Sequence, residues 1–236
     1  MKRLILDLRS ILWTGLMAGK GENSRKVVFN GKEINVNDAD HGYDNALDHI
    51  LMVLEDLNIQ PRDVILVDEG KNSKRMRLRM FEGYKAGREQ PDDQTIEFNK
   101  AKEMLITALL GVGAQLAWQD GMEADDVIAY LAKNLKGERW IVSNDGDLAA
   151  LIAPEQGIHL WQRGARDQNP FGPFEPRFIT VYKALVGDSS DKYGGAYKFG
   201  EGAWNKLLDL FGEEGLEALE GLIVGKRLLE LGEDVG

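Results

Sequence analysis

Two hydrophobic periods alternate along the chain. Short solid apolar runs, "RLILDL", "DVILVDEG" and "RWIVSNDGD", read as strands buried on both faces, and each delivers carboxylates at its far end: Asp7, Asp68, and the pair Asp145 and Asp147. Between them the spacing turns helical. Ala46, Leu47, Ile50, Leu51, Val53, Leu54 and Leu57 mark one helix, and Ile96, Met104, Leu105, Ala108 and Leu109 mark a second that ends at Gly111 or Gly113. "AQLAWQD" is expected as a further strand, and a third helix starts near Glu123, where Ala124, Val127, Ile128 and Leu131 recur at helical spacing. This alternation predicts an α/β fold, a central, mostly parallel sheet flanked by helices, whose ligand edge lies beyond the carboxyl ends of its strands.

The N-terminal "MKRLILDLRSILWTGLMAGKG" is read as the first strand and its exit loop, because Asp7 and Arg9 interrupt an apolar run too short to span a bilayer. No other stretch reaches membrane length. "QRGARDQNPFGPFEP", Gln162 to Pro176, has the glycines and prolines of a loop and divides the chain into a sheet region, 1–161, and a helical region, 162–236. In the latter, "FITVYKALVGDSSDKYGGAYKFGEGAWNKLLDLFG" reads as a helix, a glycine-rich turn and a second helix. Trp118, Trp140, Trp161 and Phe171 are expected in the core, and Trp204 packs with Leu207, Leu208 and Leu210.

With 236 residues and 43% hydrophobic content the chain can bury a sizeable core. It has no cysteine, which excludes disulfides and thiolate metal sites and suits a reducing cytoplasm. The net charge of −10 argues against nucleic acid until its distribution is considered. Between Lys71 and Arg88, "KNSKRMRLRMFEGYKAGR" holds seven basic residues against one acid, Glu82. One surface can hold a phosphate chain while another holds cations. His41, His49 and His159 are scattered, Ser189 and Ser190 have no neighbouring histidine, and neither a dinucleotide fingerprint nor a phosphate-binding glycine loop is present.

Carboxylates at helix starts are ordinarily explained by capping and by the helix dipole, at about 0.3–1 kcal/mol each. That accounts for one or two acids in "GMEADDVIAYLA" but less well for three, Glu123, Asp125 and Asp126. Asp7, Asp68, the Glu123 group and the Asp145 pair all fall at strand ends or helix starts on the expected ligand edge. With no cysteine or adjacent histidine, their fitting partners are hard cations, Mg²⁺ or Mn²⁺, and a pair of such ions suits phosphodiester hydrolysis.

These acids, the basic stretch and the glycine turn together resemble the bacterial and bacteriophage 5′ nucleases, the flap endonuclease and 5′–3′ exonuclease family that includes the 5′-nuclease domain of bacterial DNA polymerase I. The similarity runs from about Arg3 to Leu208, and its most specific elements are "EADDVIAYLA", "SNDGDLAALI", "YKAGR" and "LVGDSSD" in that family's set. The resemblance implies a PIN-like core with a helical arch near 71–105 and a helix–two-turn–helix near 178–210. It assigns metal binding to Asp7, Asp68, Glu123, Asp125, Asp126, Asp145, Asp147, Asp188 and Asp191, with Asp125 between two ions. Asp125 and Asp145 are the acids on which catalysis is expected to depend. Tyr84 is expected to stack on a base, Lys85 and Arg88 to contact the scissile phosphate, and Lys74, Arg75, Arg77 and Arg79 to meet DNA. The glycine turn departs from the family pattern, with Lys198 at a glycine position and Gly202 where lysine is usual, so Lys198 is assigned the phosphate contact there.

The implied enzyme hydrolyses DNA at 5′ flaps, nicks or free 5′ ends, and RNA in RNA–DNA hybrids, by a two-metal-ion mechanism, with K⁺ at the helix–two-turn–helix. A stand-alone monomer without a membrane partner is expected, in the cytoplasm of a bacterium or of a phage's host. The rival readings are a PIN-type ribonuclease, which would not need the tail acids and the glycine turn, and a non-catalytic structure-specific DNA-binding protein, which could have lost some of the nine acids.

Overall fold

The computed structural model describes residues 1–17, 25–29, 32–36, 38–80, 82, 84 and 92–233. β1 (Lys2–Asp7) runs directly into α1 (Leu8–Met17), in place of the exit loop that the charge pattern predicts. The reason is visible in its buried positions. Leu8, Ile11, Leu12, Gly15 and Leu16 fall on one helical face, leaving Arg9 and Ser10 to turn toward the sheet edge. A Cβ on Gly15 would stand 2.5 Å from the Gly42 carbonyl oxygen, so α1 meets the next helix at a contact only glycine permits.

β2 (Arg25–Phe29) and β3 (Lys32–Val36) pair antiparallel as a separate two-stranded sheet. Next comes α2 (Ala39–Leu57), whose start is capped by Asp38 accepting from His41 N–H at 3.0 Å. β4 (Val64–Val67), the short α3 (Arg75–Met80), α4 (Asp92–Gly111), β5 (Gln115–Ala117), α5 (Ala124–Asn134), β6 (Glu138–Val142) and β7 (Ile158–Gln162) follow. A two-residue strand, β8 (Ala165–Arg166), lies within the segment expected as loop, where Arg163 and Gly164 turn the chain back along β7. α6 (Ile179–Val186) and α7 (Glu201–Glu233) complete the chain, α7 being interrupted at Gly212, whose φ of 58° is not helical.

The six-stranded sheet has the order β5-β4-β1-β6-β7-β8, parallel except for β8. Side chains alternate between its faces, as a two-residue period requires. Leu4, Leu6, Leu66, Trp140 and Val142 join α1, α2 and α4 in one apolar cluster. Ile5, Ile65, Val67, Ile141 and Leu160 join α5, α6 and the start of α7 in the other, where Phe178, Trp204 and Leu216 are buried. The helical tail therefore shares a core with the sheet. Burying each such side chain contributes about 1.5–3 kcal/mol, so both layers hold the strand ends in place.

Two sequence expectations shift. In α4 the core positions are Phe98, Ala101, Leu105 and Leu109, while Ile96 and Met104 face solvent. Residues 98–105 thus belong to a core helix, and the arch expected near 71–105 lies partly outside the described residues. Trp140, Trp161 and Trp204 are buried as expected and Phe171 is half-buried, but Trp118 is 57% exposed just past β5. Among the described residues no helix is long and apolar enough to cross a membrane.

Candidate active site

β1 is the central strand of the parallel set: the chain passes from it to β4 and β5 on one side and then crosses over to β6 on the other, so the strand order reverses beside it. Its carboxyl end is the crevice where such sheets bind ligands. Asp7 sits there, only 4% exposed. Its carboxylate accepts from Ser143 Oγ at 2.6 Å and from Ser10 N at 3.0 Å. Burial pushes its pKa up, the two hydrogen bonds pull it down, and the nearby charges of Asp145 and Glu69 push it up again.

Asp125 and Asp145 are the hinge of the arrangement. Both line a 350 Å³ cleft with Asp7, Glu123 and Glu69, and both line an adjoining 260 Å³ cleft with Asp126, Asp147 and Asp191. Asp125 is placed by the first turn of α5, and Asp145 by a 3₁₀ turn, Gly146–Leu151, that it caps by accepting from Asp147 N at 3.0 Å. Ser143 Oγ also accepts from Asp145 N at 3.0 Å, so one fully buried hydroxyl positions both Asp7 and Asp145.

The remaining acids face cations of the chain itself. Asp68, just past β4, accepts from Lys102 Nζ of α4 at 2.9 Å. Glu123, 2% exposed at the start of α5, accepts from Tyr84 Oη at 2.7 Å and lies 3.0 Å from Arg77 Nη1. Arg77 forks onto Asp126 at 2.8 and 3.1 Å. Lys183 of α6 bridges Asp147 and Asp188. Burial raises the Asp147 carboxyl despite that contact. Burial also pushes Asp188 up, but Lys183 and the Ser190 hydroxyl outweigh it and hold Asp188 down at about 2.

Of the expected site residues, the structure thus brings Asp7, Glu123, Asp125 and Asp145 to one cleft and Asp125, Asp126, Asp145, Asp147 and Asp191 to the next. Asp188 joins Asp147 through Lys183, and Asp68 stands beside Lys102. Tyr84 is turned inward, 8% exposed, with the Arg77 guanidinium 5.8 Å from its ring centre. Lys74, Arg79 and Lys198 are exposed. Lys198 holds a left-handed φ of 59° and lies over the Tyr197 ring at 5.2 Å. Lys85, Arg88 and the Arg75 side chain lie outside the described residues.

Sequence reasoning missed Ser143, Lys102 and Lys183. Ser143 stands between a strand and "NDGD" with nothing to mark it, whereas Lys183 lies in the same short segment as "GDSSD" and could have been suspected as its counter-ion.

A divalent ion fits this donor set in kind. The clefts offer carboxylate oxygens from several elements, the hard, all-oxygen environment that Mg²⁺ or Mn²⁺ takes. As the side chains stand, no three carboxylate or imidazole groups among the described residues converge on one point. Several point instead at Arg77, Lys102 and Lys183.

A family model described as "5′-3′ exonuclease, N-terminal resolvase-like domain" matches residues 29–176. The chain belongs to this 5′–3′ exonuclease family. DNA polymerase I of Bacillus caldotenax is 30% identical over 97% of this chain and 26% of its own length. The 5′-3′ exonuclease of Bacillus subtilis is 29% identical over 98% of this chain and 76% of its own. The chain therefore spans about a quarter of the polymerase it matches and three quarters of that exonuclease. In fold it is similar to the T5 5′-exonuclease, with a TM-score of 0.65 at 17% identity over 90% of this chain and 76% of the other. That structure is described with bound divalent metal ions, and another of the T5 flap endonuclease with DNA and metal ions. The mostly parallel sheet flanked by helices is thus the fold of the T5 5′-exonuclease.

Proposed function

We propose that the chain is a divalent-metal-dependent 5′ nuclease, a flap endonuclease and 5′–3′ exonuclease acting on DNA with flaps, nicks or free 5′ ends and on RNA in hybrids. The observation that carries this reading is the meeting of Asp7, Asp125 and Asp145 at the carboxyl end of the central strand. Family membership supports the reaction class. Residues 1–161 would carry the chemistry and 162–236 would hold the duplex, with a helix–two-turn–helix near 178–210 and K⁺ at its turn.

In this reading the acids of the two clefts would hold a pair of Mg²⁺ or Mn²⁺ ions, with Asp125, which lines both clefts, as the shared residue and Asp145, Asp147, Asp188 and Asp191 on the side of one ion. Such ions, when bound, supply water activation and stabilisation of the leaving oxygen. Ser143 keeps Asp7 and Asp145 in fixed orientation, which limits the reorganisation left for the reaction itself. Lys85 and Arg88 are assigned to the scissile phosphate, and Lys74, Arg79 and Lys198, all exposed, to the DNA backbone.

Cleavage of a 5′-labelled flapped duplex in Mg²⁺ and in EDTA, beside Asp145→Asn, tests the proposal. Short 5′ products only with metal and intact Asp145 support it. Tight binding without cutting in either Mg²⁺ or Mn²⁺ would replace it with the non-catalytic DNA-binding reading.

A further inference from the structure

Arg77 is among the residues expected to meet DNA, yet its guanidinium points the other way. It leaves α3 and inserts between acids of the α5 start, with only a quarter of its side chain exposed. Both Asp126 oxygens receive one of its N–H groups, at 2.8 and 3.1 Å, and Glu123 Oε2 lies 3.0 Å from Nη1. Tyr84 completes the cluster, its ring beneath the guanidinium and its hydroxyl on the same Glu123 oxygen at 2.7 Å. Asp126 also accepts from Glu123 N at 3.2 Å, so the two acids are tied to each other as well as to Arg77. α3 is thereby fastened to the acidic rim by a single planar cation.

We infer that Arg77 is an internal counter-ion and latch, released from Glu123 and Asp126 when a divalent cation takes those carboxylates. The inference rests on the divalent-cation reading above. It follows from the geometry, because Asp126 Oδ1, Asp126 Oδ2 and Glu123 Oε2 each already accept an N–H or O–H donor. Each oxygen keeps a further lone pair for an ion, but an ion there would meet the Arg77 charge a few ångströms away in a partly buried site, where repulsion is weakly screened. Arg77 must then swing out, taking its hold on α3 with it. A guanidinium turned outward within the basic stretch is a phosphate ligand. Cation binding at the rim and nucleic-acid binding by the basic stretch are coupled through this one residue, and the coupling is reciprocal: DNA that draws Arg77 away leaves the carboxylates readier for the ion.

The test is calorimetric titration of the DNA-free protein with Mg²⁺ and with Mn²⁺, in wild type, Arg77→Gln and Arg77→Lys. Removing the competing charge is expected to tighten cation binding at least about tenfold in Arg77→Gln. Arg77→Lys, which keeps the charge, should stay near wild type. Unchanged or weaker binding in Arg77→Gln, with normal binding in wild type, overturns the latch while leaving the metal reading intact. No binding by wild type overturns the metal reading and the latch with it. Should Arg77→Gln not fold, the wild type decides alone: the guanidinium resonances of ¹⁵N-arginine-labelled protein should change on saturation with Mg²⁺, the Arg77 signal losing the slowed rotation that a two-pronged contact imposes. A signal unchanged by saturating Mg²⁺ overturns the proposal.

Discussion

Asp7 and Asp188 belong to the same acidic rim and are neutralised in opposite ways. Asp7 ends the central strand, buried, and is held by a serine hydroxyl and a backbone N–H, neither of which cancels its charge. Asp188 follows α6 and meets the ammonium of Lys183, which it shares with Asp147. Burial is the largest influence on both: at Asp7 it prevails and raises the pKa, whereas at Asp188 the Lys183 ammonium and Ser190 together outweigh it and hold the carboxyl at about 2. The contrast teaches where an outside cation is needed most. The chain supplies its own counter-ions at the periphery of the rim, and it leaves the end of the central strand with hydrogen bonds that orient a charge without removing it.

The largest expected effect comes from making Asp7 neutral. Asp7→Asn should lower cleavage at least about 100-fold, as the loss of a preorganised charged group in a closed site typically does. The same substitution should stabilise the protein in chelator at neutral pH by about 1 kcal/mol, since an expensive buried charge disappears and Ser143 can turn its hydroxyl to accept. Cleavage assays and thermal unfolding of the same preparation check both halves. A variant less stable than wild type in chelator would place Asp7 among ordinary satisfied acids and break the contrast.

Lys183→Met is the mirror experiment. It leaves Asp147 and Asp188 facing each other without their cation, which should cost about 1–3 kcal/mol in chelator, less than a fully buried pair because water reaches both acids. Adding Mg²⁺ should narrow that gap, as the ion replaces the lost charge. Equal destabilisation with and without Mg²⁺ would mark Lys183 as a packing residue.

How far this contrast could be read from the chain depends on the kind of interaction. The strand ends were legible, because a parallel strand buried on both faces is a solid apolar run and its terminating acid stands out, as in "RLILD" and "DVILVD". The cap of α5 was legible for a similar reason, local order in "EADDVIAYLA". The α1 helix was not, since Asp7 and Arg9 obscure an apolar face that is complete only when Gly15 finds Gly42 across a helix crossing. Lys183 stands five residues from Asp188 and was within local reach, but the other two counter-ions were illegible because they are non-local: Lys102 meets Asp68 across 34 residues, and Arg77 meets Asp126 across 49. A basic run seen alone suggests a phosphate partner, and only the fold reveals that Arg77 faces the chain's own acids.

The smallest effect is the most direct test of the two signs. A carboxyl held below its ordinary value contributes stability that is present above that value and is lost as pH falls through the folded one. For Asp188 the loss runs from 3.8 down to about 2. Its size in metal-free protein is at most about 2–3 kcal/mol, and less after allowance for the water around Ser190 and Lys183. Asp7 has the opposite sign: its folded value is raised, so its contribution is complete below 3.8 and falls away as pH rises through the folded value. Denaturant unfolding in chelator, stepped from pH 2 to pH 6, should therefore find Asp188→Asn flatter than wild type on the acid limb. Asp7→Asn should alter the curve only above about pH 4, with stability higher than wild type there. Two variants that bend the same limb in the same direction would mean that the rim titrates as one cluster, and the division between a cation-held periphery and an uncompensated strand end would have to be given up.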